Sequence, residues 1–379
     1  MDFRWSEEQL AFRAELAQLL DRLVPPGYEN FDLPEQEWAV RSKEYCAQLA
    51  EHDWLTPAWP REYGGRDADG WQQLIVAEEM ILHGEPRGGQ YMNVNFIGPS
   101  IMMFGTEEQK AYHLNRISRG DVIWCQGFSE PDAGSDLASL RTRAVRNGDG
   151  FVINGEKIWT SNAEIAEFCM LLARTDTSAP KHKGISVFLL PMDTPGVEVR
   201  KVPGVVGEGA FHYVVLTDVH VPDSILLGEE NEGWPLVRRA LAFERVGVAR
   251  YARAEQNLDR VAGWAHERGL LEDSRVRAAL AGAKAACDMA RVLVWKVIDD
   301  REHGDVDSPA AYVYRSAAVR AERAVMDVAF DVLGAEALPR FTVADRQFKW
   351  GMTAGVASGT AEVQLNLVAR LALGLPRPH

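Results

Sequence analysis

The chain has 379 residues, of which 46% are hydrophobic and 25% are charged, a composition typical of a globular protein and too apolar for a disordered one. No apolar stretch approaches the roughly 20 residues that a membrane-spanning helix needs, which excludes a spanning segment. Acidic residues outnumber basic residues by 55 to 41, and the net charge of -14 disfavours a general nucleic-acid or anionic-membrane binder but not a phosphate-containing small ligand.

The first 121 residues are predicted to form a helical domain. Apolar residues recur at helical spacing from Leu10 to Leu20, directly after the acidic pair Glu7 and Glu8. Further apolar helices are expected over residues 71–82 and 107–117.

A small β domain, a barrel or sandwich, is predicted for residues 122–229. Hydrophobic residues there alternate or form short runs, and turn signals such as Asn154-Gly155 separate them. The candidate strands are residues 141–145, 151–154, 168–174, 186–191, 196–201 and 213–221.

An antiparallel bundle of four helices is predicted for residues 230–379. The expected helices are residues 234–267, 274–301, 309–333 and 358–371. Pro235 lies at a typical first helical position, and Gly269 and Gly334 lie at typical stops. The predicted fold class is therefore α+β: an N-terminal helical domain, a middle β domain and a C-terminal four-helix bundle.

Several common motifs are missing from the sequence. Gly204, Gly207 and Gly209 lack the G-x-G-x-x-G spacing, and there is no P-loop, H-E-x-x-H or G-x-S-x-G motif. The nine histidines are scattered, so no metal site is expected.

The cysteines and the N-terminus favour a reducing compartment. The four cysteines lie far apart without a Cys-x-x-Cys pair, so neither a disulfide framework nor a structural zinc site is expected. Residues 1–8 have no apolar signal core and carry acidic side chains too early for a transit peptide. We therefore expect a cytoplasmic protein.

Two neighbouring segments carry the clearest chemical signal. Residues 127–137 form a loop of small residues with hydroxyls at Ser129 and Ser135, which lets backbone N–H groups approach an anion. Residues 154–162 follow a tight turn and present Trp159 beside hydroxyls, which suits a planar heteroaromatic ligand. Two surface turns with a core tryptophan would give the same pattern, so the residues alone leave both interpretations open.

The same two segments resemble the flavin-binding signature of the acyl-CoA dehydrogenase family. The matching residues are Ser129-Glu130-Pro131, Ala133-Gly134-Ser135-Asp136, Asn154-Gly155, Lys157 and Trp159-Thr160-Ser161. Segments 59–65, 104–110, 231–234 and 359–364 also resemble the family, so the resemblance extends over essentially the whole chain.

The resemblance implies that FAD binds between the β domain and the bundle. It places Trp159 and Ser161 beside the isoalloxazine, Phe128 and Ser129 along its pyrimidine edge, and Ser135 at the pyrophosphate. The predicted cofactor-binding residues are Phe128, Ser129, Gly134, Ser135, Trp159, Thr160, Ser161, Arg268 and Thr360.

The implied reaction is the oxidation of an acyl-CoA thioester to its trans-2-enoyl form. A carboxylate removes the proton alpha to the carbonyl, a hydride leaves the beta carbon for flavin N5, and electrons pass to an electron-transfer flavoprotein. Such a base suits a dry, apolar site, where desolvation raises its pKa.

The catalytic base departs from the commonest family pattern. Many members have a glutamate immediately before Gly-Thr near the C-terminus, where this chain has Ser358; the resemblance leaves its backbone N–H to polarise the carbonyl. Glu244 is the predicted base, because it lies alone on an apolar helix face and a subgroup acting on branched, long or bulky acyl chains has its glutamate there. A surface or salt-bridged Glu244 is the alternative, and Glu362 is a weaker candidate.

Arg245 and Tyr251 are the predicted substrate-binding residues, although a solvated or interface arginine is an alternative for Arg245. Gly247 and the small Ser358 are compatible with a roomy acyl pocket.

A second departure affects the flavin contacts that family members supply to a neighbouring subunit. Arg268 remains of the first such motif, but residues 269–272 and 331–335 differ from the family pattern. In actinobacterial steroid-degrading relatives such changes accompany heteromeric assembly, so we expect a homo- or hetero-oligomer, a dimer of dimers. A flavin oxidase or monooxygenase, or a non-catalytic partner subunit, remain alternative functions.

Overall fold

The computed structural model describes residues 4–28, 33–204, 210–244, 249–305, 308–337, 343–357 and 359–376, without the side chains of residues 240–244, 336, 337, 343 and 346. The chain forms two compact units, which we call the helical unit and the sheet unit. The helical unit comprises Met1–Arg22, Asp69–Gly84 and Arg245–His379, and the sheet unit comprises Leu23–Ala68 and Glu85–Glu244. The domain boundaries expected after residues 121 and 229 stay a prediction.

Eleven α-helices account for nearly half of the described residues. They are α1 (Glu7–Leu23), α2 (Glu35–Glu51), α3 (Gly70–Leu82), α4 (Gly98–Phe104), α5 (Glu107–Ser118), α6 (Gly233–Glu244), α7 (Arg250–Glu267), α8 (Ser274–Glu302), α9 (Ala310–Leu333), α10 (Val343–Thr353) and α11 (Ala361–Leu367). Among the described residues, none of these helices has the length and apolar character needed to cross a membrane.

The sheet unit is built on one sheet of eight strands. They are β1 (Trp124–Gly127), β2 (Arg143–Asn147), β3 (Gly150–Lys157), β4 (Phe168–Arg174), β5 (Ile185–Pro191), β6 (Val197–Val202), β7 (Phe211–Pro222) and β8 (Leu226–Leu227). The strand order is β6-β7-β3-β2-β4-β5-β8, and β1 pairs with β4 in parallel. β4 and β5 are buried along almost their whole length, as their continuous apolar sequences predict.

All four cysteines are buried free thiols. Cys125 on β1 lies opposite Cys169 on β4 in the sheet core. Cys287 belongs to the core of the helical unit instead.

In the helical unit α7, α8 and α9 pack against one another, α10 packs on α7 and α9, and α3 packs on α7 and α8. In helix α7 the apolar residues lie on one face, and that face is the buried one. Tyr251, Ala254, Leu258, Val261 and Ala265 are buried at steps of three or four residues, while charged residues occupy the opposite face. The predicted helical C-terminal region is thus confirmed.

Two helix predictions need correction. The helix expected over residues 234–267 is interrupted, because Ala249 has φ -73° and ψ 54°, outside the helical region, and α7 begins at Arg250. The last helix begins at Ala361, since the Thr360 side chain accepts a hydrogen bond from Val363 N at 3.3 Å and caps it. Helix α10 was not predicted at all.

Two further segments that resemble the family have structural roles in the sheet unit. The Trp59 indole donates to Val94 O at 2.9 Å, and a Cβ added at Gly98 would lie 2.1 Å from the ring. In the second segment, Gln109 completes the capping box of α5 and donates to Ser224 O at 2.8 Å. These contacts fix the helices that precede the sheet.

Candidate active site

The two segments that predicted flavin binding meet at the end of β1. Ile158 N donates to Ser129 O at 2.9 Å, so the chain leaving β3 is bonded to the loop leaving β1. Within that loop Glu130 and Ala133 exchange two backbone hydrogen bonds of 3.0 Å each. The structure therefore brings Phe128 and Ser129 beside the Trp159–Ser161 segment.

A buried ion pair holds this junction together. Lys157 is 0% exposed, and its Nζ donates to Glu130 Oε1 at 2.8 Å and to Phe128 O at 3.2 Å. A lysine buried to this extent is rare without an acidic partner. One side chain from β3 thus binds both the backbone and the carboxylate of the loop that carries Phe128 and Ser129.

The Glu130 carboxylate has further donors on its other side. Arg141 N donates to Oε2 at 2.6 Å, and Thr142 N donates to Oε1 at 2.9 Å. Burial alone would raise the pKa of Glu130, but the Lys157 ammonium and these hydrogen bonds together hold that pKa below its usual value. Glu130 is therefore ionised at neutral pH and belongs to the framework of the site.

Trp159 has two features that the fold alone does not require. Its φ of 62° lies in the left-handed region, where a bulky residue costs roughly 1–2 kcal/mol. Its side chain is nevertheless 57% exposed, held edge-to-face on Phe211 with 5.7 Å between ring centroids. A strained backbone that presents an exposed aromatic face is a mark of a binding site.

Thr160 is anchored to the first residues of β7. Its N–H donates to His212 O at 3.1 Å, and a His212 ring nitrogen lies 3.3 Å from Thr160 O. The Thr160 hydroxyl is buried but has no hydrogen-bond partner among the residues that the structure describes.

The residues present fit a flavin. Two buried polar atoms, Thr160 Oγ1 and Gln126 Nε2, lack a partner in the described part of the chain and are available to a polar ring edge. A Cβ at Gly134 would meet nothing within 4 Å, so the fold itself does not need glycine there. Ser135 is exposed next to it. A loop of this kind leaves room for a phosphate group to approach the backbone.

The other predicted cofactor residues lie in the helical unit. Thr360 caps α11 with its side chain. Arg268 is exposed and its guanidinium lies 4.0 Å from the centroid of the Trp264 ring. Neither contact is with another predicted cofactor residue.

The side chains of three predicted catalytic or substrate-binding residues lie outside the described part of the structure. Arg245 and Ser358 lie outside the described residues. Glu244 is the last residue of α6, but its side chain also lies outside the described part. Their roles stay predictions.

Tyr251 is buried, and its hydroxyl donates to Glu78. Burial, followed by the charge of Glu78, raises the pKa of Tyr251. The ring also lines an open cavity of about 600 Å³ in the helical unit, beside Arg13 and Trp295.

Glu362 is exposed in the first turn of α11. Its pKa is lowered by hydrogen bonds from its own backbone N–H and from Thr360. A carboxylate whose pKa is lowered is a weak proton acceptor, which suits a helix-capping role.

Sequence reasoning missed the pairing of Glu130 with Lys157 and the buried amide nitrogen of Gln126, which has no partner among the described residues. The signal was present, because charges of opposite sign stand inside both flavin-like segments. A separation of 27 residues hides such a contact from any local pattern.

Family models for all three domains of acyl-CoA dehydrogenases match this chain: the N-terminal domain over residues 6–121, the middle domain over 125–219 and the C-terminal domain over 231–373. The chain therefore belongs to the acyl-CoA dehydrogenase family. It is an FAD-dependent oxidoreductase that dehydrogenates acyl-CoA thioesters. The resemblance and the fold class inferred from the sequence are confirmed.

Relatives with similar domains span the full chain. Acyl-CoA dehydrogenase FadE26 of Mycobacterium tuberculosis (strain ATCC 25618 / H37Rv) is 33% identical over 408 residues, covering 100% of both chains. Among solved structures, the Tcur3481-Tcur3483 steroid ACAD has a TM-score of 0.89 at 33% identity, and the ChsE4-ChsE5 complex from Mycobacterium tuberculosis has 0.88 at 31%; each covers 100% of both chains.

Proposed function

We propose that this enzyme converts a bulky or branched acyl-CoA, of the steroid side-chain type, to its trans-2-enoyl form with Glu244 as the base. The observation that carries the proposal is the exposed, left-handed Trp159 beside the ion-paired loop of Glu130. The bulky acyl group is inferred from the steroid ACAD among the similar structures.

Each group of the chain has one task in this reaction. Glu244 accepts the alpha proton, and the Ser358 backbone N–H polarises the thioester carbonyl. Such a donor contributes roughly 2.7–4 kcal/mol where charge develops on the oxygen. A positioned base contributes typically about 10²–10⁴-fold. FAD, when bound, supplies the acceptor for the beta hydride.

The loop and the Trp159–Ser161 segment hold the cofactor. The hydroxyl of Thr160 and the amide nitrogen of Gln126 are its polar partners in the sheet unit, because both atoms are buried and no described residue bonds to them. Ser129 and Ser135 contribute hydroxyls from the loop. The Lys157–Glu130 pair positions these groups without touching the cofactor.

The assembly is proposed to contain a second subunit. Among the described residues near the C-terminus, six large apolar side chains are at least half exposed: Met352, Val356, Leu365, Leu371, Leu373 and Leu375. An apolar concentration of this kind is typical of a subunit interface. Two similar structures are complexes named for two different chains, which favours a hetero-oligomer. The electron acceptor is an electron-transfer flavoprotein, and the cytoplasmic location stays a prediction.

The test is an anaerobic panel of linear, branched and steroid-type acyl-CoA thioesters, scored by bleaching of the flavin absorbance. We expect bleaching with the bulky members and at least a 10²-fold slower rate in E244Q. E362Q is the matched control, since Glu362 is a second carboxylate of the C-terminal half, and it should bleach as the wild type does. Full activity in E244Q, or loss in E362Q alone, would refute the assignment of the base.

Assembly is tested by counting bound FAD per purified chain. We expect substoichiometric FAD in the isolated chain and full occupancy after addition of the partner subunit. One FAD per chain in the isolated protein contradicts the heteromer.

A further inference from the structure

Three potential metal ligands from distant parts of the chain meet inside the sheet unit. Glu35 is the first residue of α2, Glu164 lies in the loop between β3 and β4, and His212 lies on β7. One oxygen atom of each carboxylate and one ring nitrogen of His212 all lie within 4.8 Å of one another. The scattered histidines of the sequence predicted no metal site, because ligands so far apart in the chain leave no spacing motif.

His212 directs one ring nitrogen at the two carboxylates. Its side chain is 0% exposed, and Nε2 has no hydrogen-bond partner among the described residues. The other ring nitrogen, Nδ1, lies 3.3 Å from Thr160 O, and a carbonyl oxygen can only accept, so Nδ1 carries the proton. Nε2 of the neutral ring therefore presents a lone pair, which is the usual arrangement of a histidine that binds a metal ion.

The atoms that face this lone pair are also acceptors. Glu35 Oε1 lies 3.4 Å from His212 Nε2, and Glu164 Oε2 lies 3.7 Å from the same nitrogen. Both Glu35 oxygens are buried, and no described residue donates a hydrogen bond to them. Buried acceptors that face one another are unfavourable unless a cation lies between them.

The two distances indicate a metal ion rather than a proton. An N–H···O hydrogen bond is typically about 2.7–3.2 Å long, which is shorter than either distance. Zinc binds nitrogen and oxygen ligands at about 2.0–2.1 Å, so two ligand atoms of a tetrahedral site lie roughly 3.3–3.4 Å apart. The separations of 3.4 and 3.7 Å at His212 Nε2 are closer to this spacing.

Lys201, on β6, is a second cation at the edge of the cluster. Its Nζ lies 2.7 Å from Glu164 Oε2 and 3.7 Å from Glu35 Oε2. The lysine side chain is 52% exposed, so the ammonium stays partly hydrated. Its single charge does not balance two carboxylates, but it repels a metal ion. We therefore expect Lys201 to weaken metal binding without preventing it.

The cluster is bonded to the segment that presents Trp159. Thr160 N donates to His212 O at 3.1 Å, and Thr160 O faces His212 Nδ1. Glu164 follows four residues after Thr160 in the same loop. An ion bound to both His212 and Glu164 would therefore hold this loop at two points.

We propose that Glu35, Glu164 and His212 bind one divalent metal ion of the zinc type, with water as the fourth ligand. The ion anchors the segment Trp159–Ser161 between α2 and β7. An imidazole nitrogen together with carboxylate oxygens suits Zn²⁺, whereas Mg²⁺ prefers oxygen ligands in octahedral geometry. The site goes beyond the proposed function, because binding of the ion needs no acyl-CoA.

The first measurement is a calorimetric titration of the purified full chain with ZnCl₂ after a chelator has removed bound metal. The buffer is held at about pH 8, where Glu35, with a pKa of about 7, is ionised. We expect one Zn²⁺ per chain in the wild type and no binding of MgCl₂ at the same concentrations. E35Q and H212N should each weaken zinc binding at least about 100-fold, because even outer-shell partners of a metal contribute about 10–100-fold.

The variants are chosen to change the ligands alone. Asparagine at position 212 offers an amide N–H for Thr160 O but has no equivalent of Nε2. E198Q is the matched control, since Glu198 is a carboxylate of β6 that pairs with Arg200 at 2.7 Å and is 57–59% exposed with its partner. E198Q should bind zinc as the wild type does. K201M, which removes the competing ammonium, should bind zinc roughly 10-fold more tightly.

The second measurement is X-ray absorption at the zinc edge, which reports the ligand atoms directly. We expect nitrogen and oxygen neighbours at about 2.0–2.1 Å and no sulfur neighbour at about 2.3 Å. The sulfur signal matters because the chain has four free thiols, which are alternative zinc ligands.

The third measurement tests the anchoring role. We expect removal of zinc to speed the release of bound FAD from the wild type by about fivefold or more, and to have no effect on H212N. Zinc should also raise the melting temperature of the wild type but not that of H212N. An unchanged rate of FAD release from the wild type overturns the anchoring role.

The remaining outcomes concern the metal site itself. No zinc binding in the wild type, equal affinities in the wild type, E35Q and H212N, or a sulfur neighbour of the bound zinc overturns the site. If circular dichroism shows that H212N does not fold, E35Q carries the same expectations. A wild type that binds zinc as expected but whose flavin no acyl-CoA bleaches supports the metal site and contradicts the proposed function alone.

Discussion

Lys157→Met tests whether the buried ion pair holds the flavin site together. In the wild type the Lys157 ammonium makes two bonds, to Glu130 Oε1 at 2.8 Å and to Phe128 O at 3.2 Å. Methionine fills a similar volume but donates neither bond. In the variant, the Glu130 carboxylate would keep its two backbone donors, Arg141 N and Thr142 N. It would lose the Lys157 ammonium, which is its one charged donor among the described contacts.

The expected loss in the free energy of unfolding follows from these contacts. One charge-assisted bond to a buried carboxylate and one to a carbonyl are lost, and each is worth about 1.5–3 kcal/mol. The sum of these two bonds agrees with the cost of removing one partner of a buried ion pair in other proteins, which is about 3–5 kcal/mol. We expect the free energy of unfolding of the sheet unit to fall by roughly that amount, and bound FAD to fall with it.

The assay is urea denaturation followed by circular dichroism and by flavin fluorescence, with Lys181→Met as the control. Lys181 pairs with Asp136 at 2.8 Å, but their side chains are 51% and 59% exposed. An exposed pair of this kind contributes less than about 1 kcal/mol. Equal losses in the two variants would refute the structural role of Lys157.

The pH dependence gives an independent check. The pKa of Glu130 is lowered in the folded protein by Lys157 and the backbone donors, despite its burial. The pair therefore stabilises the fold fully above the unfolded value, near pH 4.5, and loses this effect as the pH falls through the folded value. The difference in stability between wild type and K157M should narrow on acidification.

Three further predictions concern other parts of the fold. Burial and the neighbouring Glu164 raise the pKa of Glu35 to about 7, so as the pH rises the unfolded chain loses this proton before the folded protein does. The stability of the fold should therefore fall between about pH 4.5 and 7. Thermal melting across that range should show this fall in the wild type but not in E35Q. G155A should lower the melting temperature and the bound FAD, because φ is +152° and the added Cβ would lie 2.6 Å from Thr142 Cα; an unchanged melting curve contradicts this. Y251F removes the hydroxyl bonded to Glu78 and should cost about 1 kcal/mol with KM unchanged, whereas a raised KM at normal stability would support the predicted substrate contact.

The strands were predictable because their information is local. Alternating and continuous apolar runs located β2 to β7 to within a few residues, and β4 at both ends. Strand β1 was missed because its four residues include a polar glutamine and a glycine. Strand β8 was missed because two residues give no period.

The helical half was less predictable. The sequence between α6 and α7 contains one glycine, Gly247, and a helical pattern tolerates a single glycine, so apolar spacing alone suggests a continuous helix. Helix α10 was missed because its polar and apolar residues are about equal in number, and its buried residues include the small Ala344 and the polar Gln347. Gln347 is held by Asn257 and by the Glu322 backbone, contacts that no periodicity reports.

In the candidate site too, only the features marked by local sequence were predictable. The exposed ring of Trp159 and the small residues of its loop were apparent from the sequence, since composition and turn signals mark them. The ion pair that holds the loop, Glu130 with Lys157, joins residues that are 27 positions apart in the sequence. Such contacts depend on packing, which a linear pattern does not contain.

The buried thiols provide a reporter that needs no label. Cys46, Cys125 and Cys169 belong to the sheet unit and Cys287 to the helical unit, all shielded from solvent. A thiol reagent can therefore modify them only when the surrounding structure opens. Comparing reaction rates in C287A with those in a variant retaining only Cys287 would time the opening of each half separately.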